Sequence, residues 1–100
     1  MTTRATLRAA LVTPLSGSLA GYGRAGATAL GLWAERYARR PVELSVHDAH
    51  PDPVAALRTA EQERPRLLFG PYGSGPAIAV ARAASRPVWN HGGASSALAR

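Results

Sequence analysis

The sequence contains no cysteine and no lysine, and both absences narrow the range of functions. Without cysteine the chain forms no disulfide, no zinc–thiolate site and no lipid-modified cysteine. Without lysine it carries no phosphate-binding P-loop, because that motif needs a lysine after its glycines. No apolar run approaches the ~20 residues of a membrane-spanning helix. The short apolar run before Thr13 and Pro14 indicates a strand rather than an export signal.

The positive charge of the chain comes from arginine alone. Its 12 basic residues outnumber six acidic residues and give a net charge of +6. Such an excess often accompanies nucleic-acid binding, where it forms a basic stripe. Here the arginines are scattered along the sequence, and no nucleic-acid-binding motif is present. We therefore expect no nucleic-acid partner.

Apolar segments with strand character alternate with segments of helical periodicity. Strands are predicted at residues 6–13, 42–47, 66–69 and 86–91, and helices at residues 24–39, 54–63 and 76–84. Asp52 followed by Pro53 is typical of a helix start, with Asp as the N-cap. The order βαβαβαβ predicts one three-layer α/β lobe over residues 1–100, with a parallel sheet of about four strands. The nearly all-apolar strand at 66–69 is expected to be central.

The loops at the carboxyl ends of the predicted strands differ from those at the opposite ends. In a parallel sheet of this kind, ligands bind outside the carboxyl ends. The loops there are polar or glycine-rich, at residues 16–18, 47–48, 70–75 and 90–96. The loops at the other edge are short Arg–Pro turns, where we expect no pocket. The functional site is therefore expected at the carboxyl edge.

Residues 70–75, with the sequence GPYGSG, are the strongest candidate for a ligand-binding loop. Glycines let the backbone approach a ligand closely, and a following helix N-terminus favours a carboxylate or another small polar group. Ser74 adds a hydroxyl to this loop. The next strand is followed by a similar loop, formed by Gly92, Gly93, Ala94 and Ser95. A purely structural interpretation, two tight turns before capped helices, remains open.

Tyr22 lies between glycines in the first loop rather than on a helical face. Two interpretations are equally compatible with that position. The ring packs on the first helix as a cover, or it forms an aromatic wall of a pocket.

Sequence motifs for catalysis, cofactors and metals are weak. The dinucleotide fingerprint and the G-x-S-x-G nucleophile elbow are both absent. A triad of Ser74, His91 and Asp48 would require all three to converge, which nothing in the sequence indicates. His47 and His50 are spaced for chelation, but no third ligand is fixed, and a solvated turn explains them more simply. We predict no catalysis, no cofactor and no metal.

Four segments in register resemble a known family. LVTPLSGSLAGYG, VELSVHDAHPDP, LLFGPYGSG and PVWNHGGASS are similar to the N-terminal part of lobe one of type I periplasmic binding proteins. Within that superfamily the sequence resembles the leucine/isoleucine/valine-binding branch, which includes amide- and urea-binding relatives. Its members are the substrate-binding components of ABC importers.

The resemblance implies roles for particular residues. Ser74 matches a serine that bonds the solute headgroup, and Tyr22 matches an aromatic residue that borders the ligand. Gly92, Gly93, Ala94 and Ser95 fall within a loop that offers backbone groups and a hydroxyl. Asp48 and Asp52 match positions with a structural role.

The resemblance also implies a function and a setting. The chain would supply one half of a clamshell site for a branched-chain amino acid or a related amide. Its partners would be the solute and the membrane subunits of an ABC transporter, with no span of its own. Its location would be extracytoplasmic, in the periplasm or at the cell surface.

Members of this family are several times longer and have two lobes joined by a hinge. We therefore expect this lobe to be incomplete relative to the family. The alternatives are a cytoplasmic ligand-sensing or regulatory module of the same fold, or a small flavodoxin-like enzyme. The enzyme would need a reactive cluster around Asp48.

Overall fold

A computed structural model describes residues 6–90 of the chain. Its elements are β1 (Leu7–Thr13), α1 (Ala20–Leu32), which continues into a π-helical turn (Trp33–Tyr37), β2 (Val42–Asp48), α2 (Pro53–Gln62), β3 (Leu67–Phe69) and α3 (Ser74–Ala83). The sheet is parallel, with the strand order β2-β1-β3. The predicted α/β lobe with helices between parallel strands is confirmed.

The positions of β3 and of the predicted fourth strand can be compared with the structure. β1 lies in the middle of the three strands, because the chain passes to one side of β1 for β2 and to the other side for β3. β3 has a neighbour on each side, β1 and the backbone at Trp89, so it is an inner strand as expected. The expected fourth strand is reduced, within residues 6–90, to a single parallel bridge between Phe69 and Trp89. The end of that predicted strand, at His91, lies outside the described residues.

The two faces of the sheet are covered unequally. On one face, alternate residues of β1 and β3 form the core with α2 and α3; its fully buried members are Ala10, Val12, Ala49, Leu57, Ala60, Leu68 and Val80. On the other face lies α1. Beside α1, the described residues 6–90 leave a groove of about 400 Å³, lined by Leu30, Trp33, Phe69 and Trp89. Trp89 is 64% exposed there.

Helix α1 begins at Ala20, four residues before the predicted start. The prediction treated Gly21 and Gly23 as turn residues, because glycine usually marks a loop. In the structure both lie within the helix, and Gly23 is buried against the backbone of Pro14. The glycine is required here by close packing between helix and loop rather than by a turn.

The remaining boundaries lie close to the predicted ones. Asp52 caps α2 as expected, with its carboxylate accepting a hydrogen bond from the Ala55 amide at 3.0 Å. Helix α3 starts at Ser74 rather than at Pro76, so Ser74 lies in its first turn. Within residues 6–90 no helix combines the length and the apolar character that a membrane crossing requires.

The edge opposite the carboxyl ends is held by polar contacts. The Glu61 carboxylate accepts hydrogen bonds from the amide and the hydroxyl of Ser85, at 2.9 and 2.5 Å, which lower the pKa of Glu61. The sequence led us to expect no pocket at this edge, but the structure contains one. A space of about 190 Å³ lies between Arg8, Glu43 and Glu63.

The packing of Gly23 gives a test with a built-in control. A Cβ atom at this position would lie 1.7 Å from the Pro14 carbonyl oxygen, so helix and loop would have to separate. We expect Gly23→Ala to destabilise the fold by about 1–3 kcal/mol. At Gly21 a Cβ meets nothing within 4 Å. Gly21→Ala should therefore stabilise α1 by about 0.5–1 kcal/mol.

Urea unfolding of both variants and of the parent chain measures the difference in the free energy of unfolding. Equal effects of the two substitutions would show that the close approach of Gly23 to Pro14 is not required.

Candidate functional site

The strand order places a crevice at the carboxyl ends of β1 and β3. The chain runs from β1 to β2 in one direction and returns past β1 to reach β3, so neighbouring strands β1 and β3 diverge into helices on opposite faces. In open α/β sheets this topological switch point is where ligands bind. The loops that follow β1 and β3 form its two sides.

Thr13 lies at the base of this crevice, at the end of β1, and is completely buried. Its hydroxyl oxygen accepts a hydrogen bond from the Tyr72 amide at 3.3 Å. Its carbonyl oxygen accepts another from the Ala49 amide at 3.0 Å. One residue thus connects the central strand to the loops that follow β3 and β2.

Tyr22 and Tyr72 stack on each other. Their ring centroids lie 4.6 Å apart and their planes are inclined by 10°. Tyr22 comes from the first turn of α1 and Tyr72 from the loop before α3. Tyr22 is nonetheless 59% exposed. The ring therefore does not pack into the core. It contacts Tyr72 in the loop before α3 and keeps much of its surface in water.

Ser74 is the first residue of α3 and is half-buried. Gly73 precedes it with a φ of 100°, a conformation that favours glycine, and provides no side-chain cap. Pro76 has no amide hydrogen, so the donors of the first turn are the amides of Ser74 and Gly75 and the Ser74 hydroxyl. Ser74 also interacts within the chain, and groups of this kind at the start of a helix suit a carboxylate or carbonyl oxygen.

Asp48 fixes the loop between β1 and α1. Its carboxylate accepts hydrogen bonds from the Leu15 amide at 2.9 Å, the Ser16 hydroxyl at 2.7 Å and the His50 amide at 2.9 Å. These bonds stabilise the charged form, led by that from Leu15, and lower the pKa of Asp48 to about 2. Both carboxylate oxygens are thus engaged in positioning loops, in accordance with the structural role expected for Asp48.

His47, next to Asp48 in the sequence, has contacts with Ser45 and Glu63. His47 Nε2 contacts the Ser45 hydroxyl at 3.1 Å and the Glu63 carboxylate at 3.2 Å. The Ser45 hydroxyl donates to the same carboxylate at 2.6 Å, and this bond is the main reason why the pKa of Glu63 is lowered. In residues 6–90 no group of His, Asp and Glu side chains has a metal-binding arrangement.

The loop predicted at Gly92, Gly93, Ala94 and Ser95 lies outside the described residues, and so does His91. The structure places Tyr22 at the start of α1 and Ser74 at the start of α3, on one edge of the sheet, and Tyr72, two residues before Ser74, stacks on Tyr22. The prediction omitted Tyr72 and Thr13. Tyr72 stands inside GPYGSG, so its place in that loop was an available signal. The sequence carries no comparable signal for Thr13, because the role of Thr13 depends on the pairing of β1 with β3.

A small cavity lies at this edge, between the loops that follow β1 and β2 and the start of α3. It measures about 100 Å³, and its lining includes Ser16, Leu19, His50 and Pro76. Tyr22, Tyr72 and Ser74 do not line it, so this cavity and the tyrosine stack are separate features of the edge.

Comparison with solved structures identifies a similar fold. The chain superimposes on the solute-binding protein of an ABC transporter from R. palustris, solved in complex with benzoate, with a TM-score of 0.69 and 23% identity. The match covers 86% of this chain and 27% of that protein, so the chain spans about a quarter of its length. No protein-family model matches the sequence, and no curated protein matches it significantly. The likeness shows the fold.

The bonds to Asp48 predict a dependence of stability on pH. The pKa in the folded state, about 2, lies below the ordinary value of about 4. The charged carboxylate therefore stabilises the fold above pH ~4, and this contribution is lost as the pH falls towards ~2. Because Asp48 is exposed, we expect a contribution of about 1 kcal/mol.

Urea unfolding across this pH window should show a steeper loss of stability for the parent chain than for Asp48→Asn. Glu35→Gln removes one exposed carboxylate elsewhere and serves as the matched control. Parallel pH profiles for the parent chain and Asp48→Asn would contradict the role given to the carboxylate.

Proposed function

We propose that this chain forms a lobe that binds a small solute at the carboxyl edge of its sheet, as part of the substrate-binding component of an ABC importer. The observation that carries the proposal is the superposition of most of the chain on an ABC-transporter solute-binding protein. It is supported by the crevice between β1 and β3, where open α/β sheets bind their ligands.

The chemistry of the edge limits the solute to one with a polar headgroup. Ser74 and the first amides of α3 offer hydrogen-bond donors, while Tyr22 and Tyr72 offer an aromatic surface beside them. A carboxylate or an amide carbonyl oxygen matches the donors. Branched-chain amino acids and related amides, implied by the resemblance, and benzoate, bound by the structural neighbour, all carry such an oxygen.

The proposal includes a setting for the lobe. Its partners are the solute and the membrane subunits of a transporter, and it acts outside the cytoplasm without catalysing a reaction. A solute-binding lobe contributes donors and a surface, and closure against a second lobe excludes water from the ligand. The lone lobe should therefore bind weakly, in the millimolar range, which corresponds to about −4 kcal/mol.

A catalytic role for the same edge lacks support from the contacts of Asp48. A reactive carboxylate needs an oxygen that is available to the substrate, and both oxygens of Asp48 bond the neighbouring loops. The raised pKa that suits a general acid or base is also missing, because these bonds lower the pKa of Asp48.

Chemical-shift perturbation tests the proposal directly. The ¹⁵N-labelled chain is titrated with leucine, valine, acetamide, urea and benzoate. We expect at least one solute to shift the amides of Tyr22, Tyr72 and Ser74, while the amides of α2 stay in place. Shifts spread over all elements, or no shift with any solute, would overturn the proposal for this chain.

The Ser74 hydroxyl gives the proposal a second test. With a solute that binds, Ser74→Ala should weaken affinity by about 0.5–1.5 kcal/mol, because the solute would lose one hydrogen bond. Thr59→Ala is the control, since it removes a hydroxyl from an exposed position of α2. An affinity unchanged by Ser74→Ala would remove this hydroxyl from the site.

A further inference from the structure

The outer edge of β2 has no strand beside it within residues 6–90, where β2 pairs with β1 alone. The Leu7 amide donates to the Pro41 carbonyl at 2.8 Å, and the Ala49 amide donates to the Thr13 carbonyl at 3.0 Å. The odd-numbered residues of β2 therefore bond β1, because successive residues of a strand turn their backbone groups to opposite sides. The residues whose amides and carbonyls point outward are Val42, Leu44, Val46 and Asp48.

This edge has little of the protection that exposed strand edges usually carry. Unpaired backbone groups along an edge offer a pairing site to another chain, and proteins block such edges with charge, proline or a bulge. The register with β1 runs without interruption over all seven residues of β2, so no bulge interrupts that pairing. Residues 44–46 carry no charge, and Val46 is 38% exposed although it is apolar.

We propose that the outer edge of β2 pairs in antiparallel orientation with the same edge of a second copy of this chain, with Ser45 at the two-fold axis. Charge selects the orientation. Arg39 and Arg40 precede β2, and Asp48 ends it. Antiparallel pairing places the basic start of each strand beside the acidic end of its partner, at both ends of the interface. Parallel pairing would place like charges together.

The backbone selects the register. With Ser45 opposite its own copy, all seven residues of both strands are paired, and the outward groups of Leu44 meet those of the partner's Val46. A shift by one residue would set outward groups against groups that already bond β1. A shift by two would leave two residues of each strand without a partner, so Ser45 is the best centre.

Side chains on both faces of the strand fit this register. On the face that carries α1, Leu44 lies opposite the partner's Val46, and the symmetry gives two such apolar pairs. On the other face Glu43 lies opposite the partner's His47, so a carboxylate meets an imidazole rather than another carboxylate. Apolar pairs and pairs of a carboxylate with a basic group both stabilise neighbouring strands.

The pairing would join two three-stranded sheets into one of six strands. Because the two β2 strands run in opposite directions, the carboxyl edges of the two copies face opposite ways. The crevices at the switch points then lie at opposite ends of the dimer, and both stay accessible. The inference is therefore independent of the solute-binding function, and either one can stand without the other.

Sedimentation velocity of the 100-residue chain tests for the dimer. We expect a dissociation constant on the order of 100 μM, because one pair of strands buries less than the ~1,600 Å² of a standard interface. Measurements from about 10 μM to about 1 mM cover this range. A chain that remains monomeric at the highest concentration would overturn the proposal.

Two lysine substitutions show which surface associates. Val46→Lys places a charge where each copy now has an apolar pair, and should weaken the dimer at least about tenfold. Trp89→Lys makes the same change at another exposed apolar residue, beyond β3 on the far side of the sheet, and should leave the dissociation constant unchanged. The opposite result would assign the association to the groove beside α1 and overturn the proposal.

Single cysteines test the register, since the chain has no cysteine of its own. Ser45→Cys would set two thiols across the axis with their Cα atoms about 4.5 Å apart, within the range of a disulfide. Val46→Cys is the control. In this register its two thiols belong to a diagonal pair about 7–8 Å apart, at or beyond the limit for a bridge.

Under mild oxidation, Ser45→Cys should form the disulfide-linked dimer about tenfold faster than Val46→Cys, as measured by non-reducing electrophoresis. Random collision predicts the reverse, because Val46 is exposed and Ser45 is half-buried. Equal rates, or faster linkage of Val46→Cys, would contradict the two-fold axis at Ser45 and overturn the proposal. The ¹⁵N spectrum of each variant verifies that its fold is that of the parent chain.

Discussion

The buried hydroxyl of Thr13 is the contact on which the candidate site depends. It sits at the end of the central strand, where an apolar residue would pack equally well but would leave the Tyr72 amide without this acceptor. The carbonyl of the same residue holds the Ala49 amide from the neighbouring loop. Since an unsatisfied buried polar group costs about 1–3 kcal/mol, the two loops and the strand end stabilise one another.

Around this contact, the loops at the carboxyl edge are fixed by bonds that cross between elements. Asp48, at the end of β2, holds the β1–α1 loop through the Leu15 amide and the Ser16 hydroxyl. Pro14, in that loop, packs closely against the backbone of Gly23 in α1. The position of Tyr22 is therefore set by residues far from it in the sequence. Bonds of this kind hold the loops of the edge in one arrangement, which would reduce the ordering cost of binding a ligand.

Sequence reasoning predicted the fold well, for identifiable reasons, whereas the ligand-binding residues stay a prediction. The alternation of apolar strands and helical segments located every element that the structure describes, and Asp52 located the start of α2. The start of α1 was wrong because Gly23 marks close packing, which local patterns do not distinguish from a turn. Ser74 and Tyr22 do share an edge, whereas the stack with Tyr72 and the role of Thr13 depend on which strands are neighbours.

The open groove beside α1 also affects the thermodynamics of this lobe. Trp89 and its neighbours Leu30, Trp33 and Phe69 already meet water in the folded chain. The heat capacity of unfolding rises with newly exposed apolar area, at roughly 0.45 cal/K/mol per Å². Apolar area that is exposed to water in both the folded and the unfolded chain adds nothing to the heat capacity of unfolding. The lobe should therefore have a flatter curve of stability against temperature than a fully covered α/β domain of equal length.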